Sequence, residues 1–193
     1  MRWFTSDTHF RHRNIIDYDG RPYSNLEEME EALIANWNVC VGKNDIVYHL
    51  GDFAFMGASK WHEIADDLNG RIVIVRGNHD LGNRATLSNI GLYNTKIIDV
   101  ADIVSIEVGQ RKVIMSHYPY ALPGMDNRNR ELWPANNGLW LLHGHIHKHG
   151  HGLVDVPRVN KEMKMINVGC MNWDYFPVSE AQILDTIRKS EDI

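Results

Sequence analysis

Residues 71–80 of the 193-residue chain read Arg-Ile-Val-Ile-Val-Arg-Gly-Asn-His-Asp, and this stretch carries both a structural and a chemical signal. The apolar run from Ile72 to Val75 has the length of a β-strand. Because the run is continuous rather than alternating, both of its faces are expected to be buried. Gly77 allows a sharp strand-to-loop turn, since glycine has no Cβ. The stretch therefore predicts a buried strand that ends in polar, acid-base side chains.

The same order of an apolar run and then a metal-capable residue recurs at four other places in the chain. The runs are Trp3-Phe4-Thr5, Ile46-Val47-Tyr48, Val113-Ile114-Met115 and Leu139-Trp140-Leu141-Leu142. The stretches that follow them are Asp7-x-His9, Gly51-Asp52, Ser116-His117 and Gly144-His145-Ile146-His147. In α/β sheets, ligands bind beyond the carboxyl ends of the strands, so these loops are expected to converge on one site. The eleven histidines of the chain favour a metal site or acid-base chemistry there.

Helical patterns alternate with these strands in the first half of the chain. One helix is predicted over residues 25–38, where Ser24-x-x-Glu27 has the form of a capping box, and another over residues 59–69, ending at Gly70. Further strands are predicted within residues 97–108 and 163–168, and residues 179–189 are predicted to form a helix that closes one side. Residues 121–138 form the longest irregular stretch. The pattern is typical of a layered α/β domain around one core.

Composition restricts the class of protein. With 44% hydrophobic and 23% charged residues, the chain is expected to form one folded domain over residues 1–193. Its net charge of −5 argues against a surface that coats nucleic acid, although it leaves room for a local basic groove. The two cysteines form no CxxC pair, and no apolar run approaches the roughly 18 residues of a membrane span. A cytoplasmic protein without a membrane partner is therefore expected.

The five polar blocks together resemble those of the calcineurin-like metallophosphoesterase superfamily, in particular its small single-domain bacterial, archaeal and phage-type members. The blocks are complete and in order, and they span residues 7–147. The resemblance implies a four-layer α/β/β/α sandwich of two mixed β-sheets. It also implies a dinuclear metal site at the carboxyl ends of the strands.

The resemblance further assigns the metal ligands. It implies that one divalent ion is held by Asp7, His9, Asp52 and His147, and the other by Asp52, Asn78, His117 and His145. Two such ions would bridge a water and lower its pKa, so that hydroxide becomes available as the nucleophile. Mn²⁺ is the expected metal, and Fe²⁺, Ni²⁺ and Zn²⁺ are compatible with the same ligands.

Two further residues receive catalytic roles from the resemblance. His79 matches the family histidine that stabilises developing charge and protonates the leaving oxygen. Asp80 matches the residue that orients and supports this ring. Both are therefore expected to be catalytic, but neither is expected to bind a metal.

Substrate contacts are assigned from position along the chain. Arg11, His12 and Arg13 follow the first block and are expected to contact substrate. Arg128 and Arg130 are either phosphate contacts or solvated surface charges. Base stacking and core packing are both open for the aromatic residues Phe10, Tyr118, Tyr120, Trp133 and Trp173.

The remaining histidines have less specific interpretations. Packing or a supporting hydrogen bond is favoured over metal ligation for His49 and His143. Substrate contact and simple exposure are equally open for His149 and His151, and His62 is expected to be solvated.

The predicted function is that of a metal-dependent phosphodiesterase acting on a nucleotide or nucleic-acid diester. A phosphomonoesterase acting on a small molecule or a phosphoprotein is the alternative. A catalytically silent protein-binding scaffold is a remote third, because such a protein would be expected to lose ligands and here all are present. The sequence carries no prediction of the oligomeric state.

Overall fold

The structure is a computed structural model that describes residues 1–80, 96–121, 129–147 and 157–191. Its strands are β1 (Arg2–Thr5), β2 (Ile46–His49), β3 (Arg71–Val75), β4 (Ile97–Ala101), β5 (Ile103–Val108), β6 (Arg111–Ser116), β7 (Trp140–His143), β8 (Val159–Asn160), β9 (Met165–Asn167) and β10 (Val178–Ser179). Its α-helices are α1 (Ile15–Asp19), α2 (Leu26–Cys40), α3 (His62–Ala65) and α4 (Glu180–Glu191). Short 3₁₀ helices lie at Ala58–Lys60, Arg130–Leu132 and Cys170–Asn172.

The strands form two mixed five-stranded sheets, as expected. In the first sheet the order is β10-β1-β2-β3-β4, with β1 to β4 parallel and β10 antiparallel to β1. In the second sheet the order is β5-β6-β7-β9-β8, where β6, β7 and β9 run parallel and the two edge strands run antiparallel. The α/β class predicted from the sequence is confirmed.

Strand β3 shows why its sequence has no alternation. Ile72 and Ile74 pack into a cluster with α1, α2 and α3 on one face of the first sheet, whereas Val75 packs into a second cluster between the sheets. That second cluster includes Phe4, Leu50, Val113, Met115, Leu142 and Ile166. Because both faces of the strand are covered, every position from Ile72 to Val75 is apolar and buried, as predicted.

Helix α2 starts one residue later than its capping pattern predicts. The N-cap is Asn25, whose side chain accepts a hydrogen bond from the Glu28 backbone N–H at 2.9 Å. Glu28 in turn accepts from the Ser24 backbone N–H at 2.8 Å. The cap therefore uses the Asn25 side chain as acceptor and the Glu28 carboxylate as the return acceptor for Ser24, rather than the Ser24 side chain with Glu27.

The helix predicted over residues 59–69 is much shorter in the structure. Only His62–Ala65 is α-helical, and the Asp67 and Leu68 backbone N–H groups bond three residues back, to Ile64 and Ala65. Such bonds belong to 3₁₀-type turns, which still place Leu68 in the core. The apolar spacing therefore predicts the burial of this segment correctly, but its prediction of a continuous α-helix is wrong.

Two other segments show features that the sequence pattern does not predict. Residues 97–108 form strands as predicted, but these strands, β4 and β5, lie in different sheets and are separated by Asp102 alone. Helix α1 was not predicted, because its five residues are too few to show a helical period. The C-terminal helix was predicted correctly, and α4 contributes Ile183 and Ile187 to the cluster between the sheets.

The topology brings the polar loops to one end of the sandwich. Strands β1, β2 and β3 are parallel neighbours, so their carboxyl ends meet at one edge, and β6 and β7 do the same in the second sheet. An isolated bridge between Ser6 and Gly169 joins the end of β1 to the end of β9. In the part of the chain that is described, no helix is both long and apolar enough to cross a membrane.

Candidate metal centre

The loop after β1 is held against the loop after β2 by backbone hydrogen bonds. The Asp7 N–H donates to the Gly51 carbonyl and the His9 N–H donates to the Asp52 carbonyl, both at 3.0 Å. Asp7, His9 and Asp52 have φ values of 56°, 52° and 55°, in the left-handed region that L-residues seldom occupy. Such strained backbone persists only where the surrounding structure fixes it, and it commonly occurs at functional sites.

Two glycines allow these loops to approach closely. Gly51 has a φ of 89°, and a Cβ on it would lie 2.5 Å from the Gly77 nitrogen and 2.6 Å from His117 Nδ1. A Cβ on Gly144 would collide with the Ser6 hydroxyl and with the Asp7 carboxylate. Glycine is therefore required at both positions for the side chains of different loops to converge.

The first donor cluster is formed by two buried carboxylates, one buried imidazole and the partly buried imidazole of His147. His9 Nε2 lies 3.4 Å from His147 Nε2 and 3.6 Å from Asp52 Oδ2. His147 Nε2 also lies 3.5 Å from Asp7 Oδ1. One ligand atom from each of Asp7, His9 and His147 falls within 4.8 Å of the others, which is the separation expected around a single cation.

The second donor cluster is centred on the amide oxygen of Asn78. This Oδ1 lies 3.0 Å from His117 Nε2 and 2.9 Å from His145 Nδ1. His117 Nε2 is in turn 3.7 Å from Asp52 Oδ2, so the Asp52 carboxylate belongs to both clusters. Imidazole, carboxylate and amide oxygen are ligands for Mn²⁺, Fe²⁺, Ni²⁺ and Zn²⁺, and the donor set therefore fits two divalent ions that share Asp52.

Burial and neighbouring charges shift the pKa values of the clustered groups. Burial and the nearby charge of Asp7 raise the pKa of the Asp52 carboxyl to about 7. Burial alone would also raise the pKa of Asp7, but hydrogen bonding and attraction from His147 outweigh it and leave that pKa well below its ordinary value. Burial lowers the pKa of His9 and His117, which favours the neutral imidazole that binds metals. Divalent ions would neutralise the two clustered carboxylates.

A buried ion pair behind His147 was not anticipated from the sequence. Asp19 Oδ1 lies 3.4 Å from His147 Nδ1, and Asp19 Oδ2 accepts a hydrogen bond from Arg21 Nε at 3.2 Å. Arg21 also donates to the Thr8 carbonyl at 2.9 Å and to the Asp7 carbonyl at 2.7 Å. A buried Arg two residues after a buried Asp has no local sequence signature, because it depends on α1 folding against the β1 loop.

His79 lies at the mouth of the site. Its backbone N–H donates to Asp52 Oδ1 at 3.0 Å, while its Nε2 lies 4.0 Å from Asp52 Oδ2. The side chain is 38% exposed, and its ring centroid is 5.3 Å from that of His9. The ring therefore borders the donor clusters and faces solvent.

Asp80 differs from its expected role. Its Oδ2 accepts from the backbone N–H groups of Asp52 and Gly77, at 2.9 and 2.8 Å, and its Oδ1 has no hydrogen-bond partner in the described residues. The expectation that Asp80 supports the His79 ring is therefore not met. The physical reason is that the buried carboxylate turns inward to satisfy two backbone donors of the metal-facing loops.

Three residues are expected to contact substrate, and of these the His12 side chain lies beside the site. Its centroid is 5.5 Å from that of His9. Arg11 instead pairs with Glu30 at 2.7 Å, and Arg13 pairs with Asp17 at 3.2 Å. Both guanidinium groups are therefore held by carboxylates of the chain.

Other histidines of the sequence analysis lie outside the donor clusters. His49 is fully buried and bonds Thr8 Oγ1 at 2.9 Å, and His143 is buried with Nδ1 2.8 Å from the Gly144 carbonyl. Burial lowers the pKa of His49 to about 3 and that of His143 to about 4. The burial and hydrogen bonds of His49 and His143 agree with the packing role that the sequence favoured over metal ligation. His62 is partly exposed, with its Nδ1 3.0 Å from the Ser59 carbonyl, and His149 and His151 lie outside the described residues.

The aromatic candidates separate into core and site residues. Phe10 and Tyr120 are buried in the hydrophobic clusters. Tyr118 packs edge-on against the His145 ring with centroids 4.9 Å apart, and Trp133 lies 6.2 Å from it. Basic side chains cover two of the candidate rings: Arg130 lies over Trp133 and Arg158 lies over Trp173. Arg128 lies outside the described residues.

Comparisons with known proteins agree with this geometry. Residues 3–189 match the family model described as the calcineurin-like phosphoesterase superfamily domain. The uncharacterised protein MJ1445 of Methanocaldococcus jannaschii is 36% identical over 192 residues, which cover 98% of this chain and 92% of that protein. The gene 66 protein of Mycobacterium phage L5 is 31% identical over 201 residues, covering 96% of this chain and 93% of that protein. The crystal structure of AQ665 from Aquifex aeolicus, a protein of unknown function, superposes with a TM-score of 0.72 at 27% identity, covering 97% of this chain and 99% of that one.

Proposed function

The chain belongs to the calcineurin-like phosphoesterase superfamily, whose members hydrolyse phosphate esters, and from this premise we propose that it is a metal-dependent phosphodiesterase. The proposed substrate is a nucleotide or nucleic-acid phosphodiester. The observation that carries the proposal is that two donor clusters share one buried carboxylate, that of Asp52.

In this proposal each cluster holds one divalent ion. Asp7, His9, Asp52 and His147 would hold one ion, and Asp52, Asn78, His117 and His145 would hold the other. The bound ions would supply Lewis acidity toward a phosphoryl oxygen and activate water as the nucleophile. Mn²⁺ is the proposed metal, because mixed oxygen and imidazole ligands accommodate it.

His79 is the proposed general acid. The His79 backbone N–H donates to Asp52 Oδ1 at 3.0 Å, which holds the residue beside Asp52. Its ring remains partly exposed at the mouth of the site. From there Nε2 can donate a proton to the leaving oxygen. Asp80 acts indirectly, since its carboxylate holds the loops that carry Asp52 and Gly77.

Among the described residues, the arginines that follow the β1 loop favour a diester over a monoester. Arg11, Arg13 and Arg21 follow the β1 loop, and each forms an ion pair with a carboxylate of the chain. A phosphate monoester carries a second negative charge that a guanidinium would normally meet. A diester carries one charge and makes no such demand. A cytoplasmic location is part of the proposal, and the free thiols of Cys40 and Cys170 support it.

The test compares two esters on chelator-stripped protein to which Mn²⁺ is restored. Bis-p-nitrophenyl phosphate reports diester hydrolysis, and p-nitrophenyl phosphate reports monoester hydrolysis. The variant is Asp52→Asn, which removes the shared carboxylate charge. Asp66→Asn is the matched control, because Asp66 is an exposed carboxylate next to α3.

We expect Mn²⁺-dependent diester hydrolysis that Asp52→Asn loses and Asp66→Asn keeps. Faster hydrolysis of the monoester would favour the phosphomonoesterase alternative. Absence of turnover on both esters, with metal bound, would contradict the enzymatic proposal and favour a protein-binding scaffold.

A further inference from the structure

Two exposed rings and the partly buried ring of His12 form an aromatic surface beside the donor clusters. Phe55 is 56% exposed and Tyr18 is 71% exposed, which is unusual for large rings. The ring of His12 stacks on Phe55, with centroids 4.5 Å apart and planes 16° apart, and lies edge-on to Tyr18 at 6.3 Å. His12, Tyr18 and Phe55 are named here the aromatic shelf.

The aromatic shelf adjoins the site on the side of His79. The Phe55 and His79 centroids are 5.9 Å apart, and those of His12 and His79 are 6.0 Å apart. On its other edge His12 lies 5.5 Å from the His9 ring. A group attached to an oxygen that His79 protonates would therefore lie next to the shelf.

Phe55 is exposed although the residues just before it in the chain are buried. Its neighbours Phe53 and Ala54 are buried in the core, and its own backbone is fixed by an N–H bond to the Phe10 carbonyl at 2.7 Å. Burial of a phenylalanine ring stabilises a folded protein, and Phe55, at 56% exposure, forgoes much of that stabilisation. The backbone that carries this exposed ring is therefore fixed, and the ring stacks on His12, which lowers the ordering cost when a ligand stacks on it.

The shelf also differs from the aromatic residues that the sequence suggested for stacking. Phe10 and Tyr120 are 1% and 0% exposed and cannot meet a ligand without unfolding the core. Phe55 carries no sequence signal for this role, because its neighbours at positions 53 and 54 are equally apolar. The course of the backbone after β2 decides that Phe55 is exposed while Phe53 is buried.

We propose that the aromatic shelf binds the nucleobase of the leaving nucleoside, so that the enzyme prefers diesters whose leaving alcohol carries a base. This inference rests on the proposed phosphodiesterase function and specifies its substrate. Stacking of a base on an aromatic side chain contributes about 1 to 3 kcal/mol and tolerates any base, because every base has a π-face. The shelf thus confers preference for nucleosides without selecting among sequences.

The experiment uses the dinucleotide d(TpT) and two analogues in which one or the other base is replaced by hydrogen on a tetrahydrofuran ring. Product analysis of d(TpT) identifies the nucleoside released as the alcohol. The analogue that lacks the base on that nucleoside is then the matched substrate. The measured quantity is the ratio of kcat/KM for d(TpT) to kcat/KM for this analogue, with Mn²⁺ present.

We expect a ratio of about 5 to 150 in the wild-type protein, which is the stacking contribution expressed as a rate factor. The ratio should fall toward one in Phe55→Ala and persist in Phe55→Trp, which keeps an aromatic face. Phe176→Ala is the control, because Phe176 is also exposed, at 38%, and follows the 3₁₀ helix Cys170–Asn172. Removing an exposed ring leaves no core cavity, so folding is expected to be retained in both alanine variants.

Each other outcome has a distinct meaning. A ratio near one in the wild-type protein, or an unchanged ratio in Phe55→Ala, would overturn the base-binding role of the aromatic shelf. Either result would leave the phosphodiesterase function in place. Failure of the wild-type protein to hydrolyse both d(TpT) and bis-p-nitrophenyl phosphate would overturn the proposed function itself, and the shelf with it.

Discussion

The Nδ1 atom of His147 lies 3.4 Å from Oδ1 of Asp19, a carboxylate whose side chain is completely buried. The opposite nitrogen of the same ring, Nε2, faces Asp7 and His9 in the first donor cluster. The ring is therefore held between a buried carboxylate and the ligand atoms. In metal sites such a carboxylate sets the orientation and basicity of the imidazole, and its loss commonly weakens metal affinity by about 10- to 100-fold.

We therefore predict that Asp19→Asn weakens binding of one Mn²⁺ by roughly tenfold or more, because the amide no longer carries the charge that faces Nδ1. Calorimetric titration of the metal-free variant measures the affinity directly, without reference to turnover. Asp17→Asn is the matched control, since Asp17 lies in the same helix with its side chain 72% exposed. Equal affinity in Asp19→Asn and the wild-type protein would exclude the orienting role.

His79→Ala is predicted to lower kcat by about 10²- to 10⁴-fold while both metal ions stay bound. The reason is that His79 is the proposed general acid, whereas both ions are assigned to other side chains. His79 Nε2 lies 4.0 Å from Asp52 Oδ2, and His9, Asp52 and His79 could themselves group around a cation, so bound metal must be measured directly. Turnover and bound metal are measured on the same sample, and His62→Ala serves as the control on a partly exposed histidine of α3. Loss of metal from His79→Ala would mean that the residue is a ligand rather than an acid.

Gly144→Ala is predicted to displace Asp7 and to weaken the first metal site. Its new Cβ would collide with the Asp7 carboxylate and the Ser6 hydroxyl, and overpacking of this kind costs about 1 to 3 kcal/mol of unfolding free energy. Gly57→Ala is the control, because the nearest atom to its Cβ would be Ser59 Oγ at 3.9 Å. Metal titration and denaturant unfolding of the two variants test the difference, and matching results would show that the loop can move aside.

Metal binding is predicted to release more protons at pH 6 than at pH 8. The pKa of Asp52 is raised to about 7 by burial and by Asp7, so this carboxyl is mostly protonated at pH 6 and mostly ionised at pH 8. A cation must displace that proton at the lower pH, and metal affinity should therefore rise as pH increases through about 7. The pKa of His147, about 10, is raised by Asp19 and Asp7 against the effect of burial, so its proton is displaced at both pH values.

Calorimetry in buffers of different ionisation enthalpy counts these protons. Asp52→Asn should reduce the pH-dependent part of the release, because an amide does not titrate in this range. The remainder would come from Asp80, a carboxyl whose pKa is also raised to about 7 by burial and by the charge of Asp52. A proton count that is the same at pH 6 and pH 8 in the wild-type protein would contradict the assignment.

The sequence was most informative where a function depends on one loop. The order of apolar run, glycine and ligand-type side chain predicted the strands after which Asp52, Asn78 and His145 stand, and the structure brings these side chains to one place. The sequence was least informative about contacts between segments that are distant in the chain. The pairing of Arg11 with Glu30 across 19 positions has no local pattern, so the sequence suggested a free guanidinium where the structure has an ion pair.

Backbone periodicity and residue chemistry are local properties, and for that reason the sequence by itself determined the α/β class and the types of donor at the strand ends. The tertiary structure alone decided which buried groups face one another and which side of a loop meets water. It turned Asp80 inward toward the Asp52 and Gly77 backbone, placed Asp19 behind His147, and left Phe55 exposed while Phe53 is buried. These outcomes depend on packing between segments far apart in the chain, where burial must satisfy every donor and charge at once.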